Sequence, residues 1–231
     1  MNRYDMEYSR NNENVIVAEN SLMRQVYVWM GLGLALTALA AFFTISSPEL
    51  LNALVTNRGL LWGLIIGELG LVFVLSAAIN KLSNTMATLL FLGYSILNGI
   101  TLSIIFLVYT ADSIGSTFMI TAGMFFAMSA YGYMTERDLT SWGSFLFMGL
   151  IGIIIASVVN IFLKSGPTAW IISAIGVIVF TGLTAYDTQK IKALAAQGVQ
   201  GRKPAIIGAL ALYLDFINLF LMLLRLLGNR R

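Results

Sequence analysis

Residues 208–228 read GALALYLDFINLFLMLLRLLG, an apolar stretch in which Asp215 is the only acid. About 20 predominantly apolar residues are enough for one membrane-spanning helix. A carboxyl group in hydrocarbon is costly, so it faces a bundle interior, a water-filled cavity or a partner. No lysine or arginine lies deep enough in the stretch to neutralise Asp215. The pattern therefore predicts a membrane helix whose acid is neutralised by a proton or a metal cation.

A second acid lies at the end of the preceding apolar segment, in TAYDTQKIK, where Asp187 precedes a short polar loop. Asp215 lies about nine residues into the last span, counted from the same membrane face, which at about 1.5 Å per residue places it about 13 Å deep. The two helices run antiparallel, so we expect the carboxyls at similar depth. Two neighbouring carboxylates cannot both ionise cheaply, which predicts a pair that shares a proton or binds a cation. The alternative is that neutral neighbours satisfy each aspartate and the pair only locks helices together.

The composition excludes several function classes. Of 231 residues, 58% are hydrophobic and 11% are charged, against about 25% charged in soluble domains. Cysteine and histidine are absent, which removes thiol nucleophiles, disulfides and the usual zinc ligands. Any sensing of pH near neutrality therefore depends on carboxyl groups. The net charge of +3 comes with no basic patch interleaved with aromatic residues, so no nucleic-acid partner is expected.

Seven segments have the length and composition of a membrane span. We therefore predict an all-α integral membrane protein, with residues 1–21 as a cytoplasmic N-terminal tail and residues 22–231 as a seven-helix transmembrane domain. The predicted spans are Val26–Ile45, Leu60–Ile79, Thr88–Val108, Ser116–Met134, Ser144–Leu163, Ala169–Tyr186 and Ile206–Leu224.

The distribution of basic residues predicts the orientation of the chain. With the N-terminus in the cytoplasm, nine lysines and arginines fall on the cytoplasmic side and five on the other. Cytoplasmic loops are enriched in these residues, so we expect the C-terminus on the opposite side. The basic Arg230-Arg231 end argues against this, since a re-entrant last segment would place it inside.

Three further residues are candidates for an ion pathway or its control. Glu68 lies within the second span, and Asn218 shares one helical face with Asp215. Lys81 follows the second span near the depth expected for Asp187, so it is a candidate ion-pair latch. The alternative is that Lys81 is an interfacial lysine without a partner. A packing role is favoured for the other polar residues in the spans, Asn98, Thr101, Ser103 and Asn160.

The sequence around both aspartates resembles the signature of the Bax inhibitor-1 (transmembrane Bax inhibitor motif) family. The resemblance includes TAYDTQKIK, Phe216-Ile217-Asn218-Leu219-Phe220 and Arg225. The run Arg137-Asp138-Leu139-Thr140-Ser141 is similar to the family's loop before the fifth helix. Essentially all seven spans are covered, and the chain looks most like the bacterial inner-membrane branch.

The resemblance implies a fold with six helices around a central seventh. It also implies that Asp187 and Asp215 form a pH-sensing dyad controlling a calcium leak, and that Glu68 corresponds to the family's acid in the second helix. Where some bacterial relatives carry an arginine cluster, this chain has Asn80-Lys81. Other bacterial members are linked to a membrane-bound protease, as modulators or substrates.

The predicted function is a pH-sensitive cation leak pathway, with calcium as the transported ion and no resident cofactor. Asp187 and Asp215 are also the candidate metal ligands, and proton or monovalent-cation movement stays open. The alternative is a non-catalytic regulator of membrane-protein quality control that binds a membrane-bound protease. No enzyme activity is expected, because neither aspartate has the GxGD context of intramembrane aspartyl proteases.

Overall fold

The computed structural model describes the backbone of residues 3–231 and the side chains of residues 15–231. Within these residues the secondary structure is helical, apart from one isolated bridge near the C-terminus. A 3₁₀ turn, Ile79–Lys81, follows α3. The helices are α1 Arg3–Ser46, α2 Pro48–Thr56, α3 Arg58–Ala78, α4 Asn84–Leu102, α5 Ile105–Val108, α6 Ala111–Met134, α7 Thr140–Leu163, α8 Gly166–Ala196 and α9 Arg202–Leu227.

Seven stretches of these helices are long and apolar enough to cross a membrane, which confirms the predicted all-α class and span number. The helices extend past the predicted spans at most ends. Helix α1 continues through the predicted boundary between residues 21 and 22 without a break. The segment Pro48–Thr56, predicted as a connection, is a short helix with proline in its first turn, where the missing N–H costs no hydrogen bond. The third span is interrupted between α4 and α5.

Side-chain caps fix the beginnings of several helices. The side chains of Asn57, Ser83 and Thr110 accept hydrogen bonds from backbone N–H groups three residues later, at 3.0, 3.1 and 3.3 Å. Such caps satisfy N–H groups that have no partner inside a helix. They lie between apolar runs, so each one separates a span from the connection before it.

Large apolar side chains are exposed along the spans, as in Phe73 at 72% and Phe162 at 81% exposure. Such exposure in water would be a large unpartnered apolar surface, whereas the bilayer core matches it. Helix α9 differs from the others: 72% of its most apolar window is buried, against 11–44% for the other six. High burial is expected for a helix surrounded by others, and the arrangement of six helices around it stays a prediction.

The chain divides into two compact units. The first contains the chain up to Ile105 and Lys190–Leu210. Here α1 packs closely on α4, because a side chain at Gly99 would meet the backbone of Thr37. The Thr37 hydroxyl donates to the carbonyl of Ser95 on α4 at 2.9 Å. Small residues at helix contacts and interhelical hydrogen bonds are how membrane helices associate.

The second unit contains Phe106–Gln189 and Ala211–Arg231. Its core is formed by α7, α8 and α9. On α6, Phe118 and Phe125 pack edge-to-face on Phe216 of α9, with ring centroids 5.3 and 5.5 Å apart, the favoured aromatic geometry. The buried core residues are Leu146, Ile153, Ile172, Val179, Phe180, Leu183, Leu219, Met222 and Leu223.

The C-terminal residues of this unit pair with the connection between α5 and α6. Thr110 N–H donates to the Asn229 carbonyl at 3.1 Å, and Arg231 N–H donates to the Val108 carbonyl at 3.0 Å. Asn229 N–H donates to the Ser113 hydroxyl at 2.8 Å. The end of α9 is therefore fixed to the beginning of α6, and we call residues 228–231 the C-terminal strap.

Candidate functional site

The Asp215 carboxyl is buried within the second unit, with the residue only 5% exposed. It projects from α9 between the apolar residues Leu214 and Phe216. Its Oδ2 atom has no hydrogen-bond partner among the residues that the structure describes. A buried polar atom without a partner is costly, so this atom marks a place where a proton, water molecule or cation would be stabilised.

Asp187 lies on α8 beside Asp215, and the two carboxyls interact through charge and a side-chain hydrogen bond. Asp187 is only partly buried. An ionised carboxylate has no hydrogen to donate, so a hydrogen bond between two carboxyls requires at least one proton on the pair. The structure thus brings together the two acids singled out by the sequence, one in the interior and one within reach of the surface.

The aspartate pair supplies few ligands for a tightly bound metal. No group of three or more histidine, cysteine or acidic residues forms a potential metal site among the described residues. Calcium takes 6–8 oxygen ligands in proteins, whereas two aspartates contribute at most four. The two aspartates alone therefore supply fewer oxygen ligands than a bound calcium ion takes.

Glu68 belongs to the first unit, where it joins α3 to α4. The Asn98 side-chain amide and the Thr101 hydroxyl donate to its two carboxylate oxygens at 3.2 and 2.5 Å. Asn98 and Thr101 thus form the interhelical contacts expected of them. Ser103 instead bonds to the carbonyl of Ile100 in its own chain segment, and Asn160 caps the end of α7 through the N–H of Ser165.

The remaining candidates are placed as follows. Lys81 is exposed at the end of the 3₁₀ turn in the first unit, and its role as a latch stays a prediction. Asn218 is partly buried on α9, and its amide donates to the carbonyl of Leu214 at 2.8 Å. That bond lies within one helix, and the role of Asn218 in an ion pathway stays a prediction.

Sequence reasoning missed the residues that hold the Asp187 turn in place. The Ser129 hydroxyl on α6 lies 2.9 Å from that of Thr188, and Gln189 bonds to the backbone of the α6–α7 loop. Thr188 and Gln189 directly follow Asp187 in the quoted motif. Their polar character at membrane depth was the available signal, but their partners are more than 45 residues away in the sequence.

A family model described as inhibitor of apoptosis-promoting Bax1 matches residues 19–231. The chain belongs to this family. It is 59% identical to the inner membrane protein YbhL of Escherichia coli K12 over 214 residues, covering 90% of this chain and 92% of the relative. Uncharacterized proteins of Borreliella burgdorferi and Rickettsia prowazekii are both 47% identical, covering 94% and 90% of this chain and 95% and 89% of their own.

Proposed function

We propose that this protein is a pH-sensitive leak pathway for cations, with calcium as the principal ion, in the bacterial inner membrane. The Asp187–Asp215 pair is its gate. The inner-membrane location is supported by the similarity to the inner membrane protein YbhL of Escherichia coli and by seven stretches able to span a bilayer.

The observation that carries the proposal is the hydrogen-bonded pair with its unpartnered Oδ2 atom on Asp215. One proton holds the two carboxyls together. When that proton leaves, two like charges lie side by side in a medium of low dielectric, where repulsion is strong. A cation between the carboxyls, or their separation, relieves the repulsion. A proton and a cation therefore compete for the same pair of carboxyl groups.

Glu68 is the candidate permeation acid in the other unit. Two protein groups already donate hydrogen bonds to its carboxylate, so the charge that a cation would meet is partly compensated. Weak binding at successive sites is what conduction requires. Calcium is favoured because carboxylate, hydroxyl and amide oxygens are its usual ligands.

The existence of the pathway is tested with purified protein in liposomes that enclose a calcium indicator. We expect calcium entry above that of empty liposomes, changing across a pH series from about 5 to 8, the range in which buried carboxyls titrate. A parallel series with potassium or a proton indicator identifies the preferred cation. Entry equal to that of empty liposomes at every pH contradicts the proposal.

The alternative, a non-catalytic regulator that binds a membrane-bound protease, would act through the N-terminal tail and cytoplasmic loops. Deleting all of residues 1–21 is a poor test of it. Ala18 is buried, and Glu19 forms an ion pair with Lys192 at 3.9 Å, so that deletion also removes packing. Deleting residues 1–14 keeps these contacts. Loss of protease binding with unchanged ion flux would favour the regulator.

A further inference from the structure

The residues on both sides of Asp187 are fixed to neighbouring elements of the second unit. On the C-terminal side, the Thr188 hydroxyl lies 2.9 Å from the Ser129 hydroxyl of α6, and both residues are buried. Thr188 also donates to the carbonyl of Thr184 on its own helix at 2.7 Å. The Thr188 side chain therefore joins this turn of α8 to α6.

Gln189 joins the same turn to the loop between α6 and α7. Its Oε1 accepts the N–H of Leu139 at 2.8 Å, and its Nε2 donates to the carbonyl of Arg137 at 2.8 Å. The two bonds use both ends of one amide, which fixes its orientation. Leu139 is itself buried, so both the packing of its side chain and the hydrogen bonds to Gln189 hold the loop.

Close packing fixes the N-terminal side of the turn. A side chain at Gly132 of α6 would meet the backbone of Ala185, and one at Gly143 of α7 would meet the ring of Tyr186. Helices in contact at this distance leave no room for α8 to shift sideways. Asp187 lies between these two sets of contacts and interacts with the carboxyl of Asp215 on α9.

We propose that Thr188 and Gln189 are positioning residues that hold the Asp187 carboxyl against Asp215, with Ser129 and the loop of residues 135–139 as their support. The inference rests on the proposed function, because it names the residues that set the geometry of the same gate. The direction in which Asp187 projects depends on the rotation of this turn of α8 about the helix axis. The Thr188 and Gln189 contacts to separate elements fix that rotation.

The test uses flux measured at one fixed pH, with each disruptive variant compared with a matched control variant. Thr188→Val removes the hydroxyl at nearly constant volume, whereas Thr188→Ser keeps it. Gln189→Ala removes both hydrogen bonds from the Gln189 amide to the α6–α7 loop. Gln197→Ala is the matched control, at an exposed glutamine further along the chain. We expect Thr188→Val and Gln189→Ala to change flux by at least about threefold, the scale of one hydrogen bond, in the direction of Asp187→Asn. Thr188→Ser and Gln197→Ala should match the wild type.

A spectroscopic measurement separates this inference from the proposed function. The infrared C=O band of the protonated pair is identified by its loss in Asp187→Asn and in Asp215→Asn. We expect its frequency to change in Thr188→Val and Gln189→Ala and to be kept in Thr188→Ser. If the wild type shows no flux but the band changes in this way, the positioning holds and the leak pathway fails. If folded Thr188→Val and Gln189→Ala keep both the wild-type band and flux, or no such band exists, the positioning is wrong.

Discussion

A buried carboxyl such as that of Asp215 persists at membrane depth only when something removes its charge. The side-chain hydrogen bond with Asp187 requires at least one proton on the pair, and that proton reduces its charge. The two acids differ in exposure: Asp215 is in the interior and Asp187 is partly buried.

Gly132 gives a residue-level prediction about the contact of α6 with α8. A Cβ atom there would overlap the backbone of Ala185, so Gly132→Ala should lower the free energy of unfolding by about 1–3 kcal/mol, the usual cost of overpacking. Gly123→Ala on the same helix is the control, because nothing lies within 4 Å of its added Cβ. Alanine favours helix over glycine by up to about 1 kcal/mol. Equal unfolding curves for the two variants in a denaturant titration would contradict the close contact.

Asp138 gives a prediction about pH. Hydrogen bonds from the Thr140 hydroxyl and then its backbone N–H hold the pKa of this exposed carboxyl below its ordinary value of 3.8. A lowered pKa in the folded state means stability that is present above 3.8 and lost as pH falls through the folded value. Asp138→Ala should therefore lower Tm at pH 7, with a deficit that shrinks below about pH 3.8. Glu136→Ala, at an exposed acid of the same loop, is the control; a deficit independent of pH would rule out this role for the charge.

At the scale of elements, α8 is longer than a bilayer requires. Its 31 residues span about 46 Å, against about 30 Å of hydrocarbon, so one end extends beyond the membrane core. Asp187 lies in the last third of the helix. We therefore expect Asp187 near the membrane boundary and Asp215 deeper in the hydrocarbon.

The C-terminal strap gives a prediction at the same scale. Deleting residues 229–231 removes the acceptor of the Thr110 N–H and the donor to the Val108 carbonyl. We expect hydrogen exchange of the Thr110 amide to become about tenfold faster or more, since one or two hydrogen bonds are lost. Arg230→Ala is the control, because the strap bonds through its backbone. Unchanged exchange after the deletion would show that the strap does not hold the connection.

The sequence predicted the helices better than the contacts between them. All seven spans follow from apolar run length, because the bilayer permits little else at that length. Helix α2 was missed because its nine residues, Pro48–Thr56, follow Ser47 and begin with proline, a pair that is also typical of a loop. The hydrogen bond between Gln189 and Leu139 was missed because no local pattern encodes a contact across 50 residues. The proximity of Asp187 to Asp215 could be predicted from the sequence, since a short loop joins their helices.

At the scale of the whole molecule, the orientation in the membrane is a prediction that the absence of cysteine makes easy to test. Single cysteines at the exposed positions Lys164 and Asn229 should react with an impermeant maleimide added to intact cells. Cysteines at Arg137 and Gln197, also exposed, should react only after the membrane is opened. This follows from the excess of basic residues on the predicted cytoplasmic side. Labelling of Asn229→Cys only in opened cells would place the C-terminus in the cytoplasm.

Asp187 and Asp215 should act as one pH-sensitive unit, and the decisive measurement is cation flux across a pH series. Liposomes carrying Asp187→Asn, Asp215→Asn or both are compared with the wild type, with Asp112→Asn as the exposed-acid control. We expect either single change to abolish or shift the pH dependence and the double change to add nothing, since residues acting as a pair are not additive. Wild-type pH dependence in both single variants would contradict it.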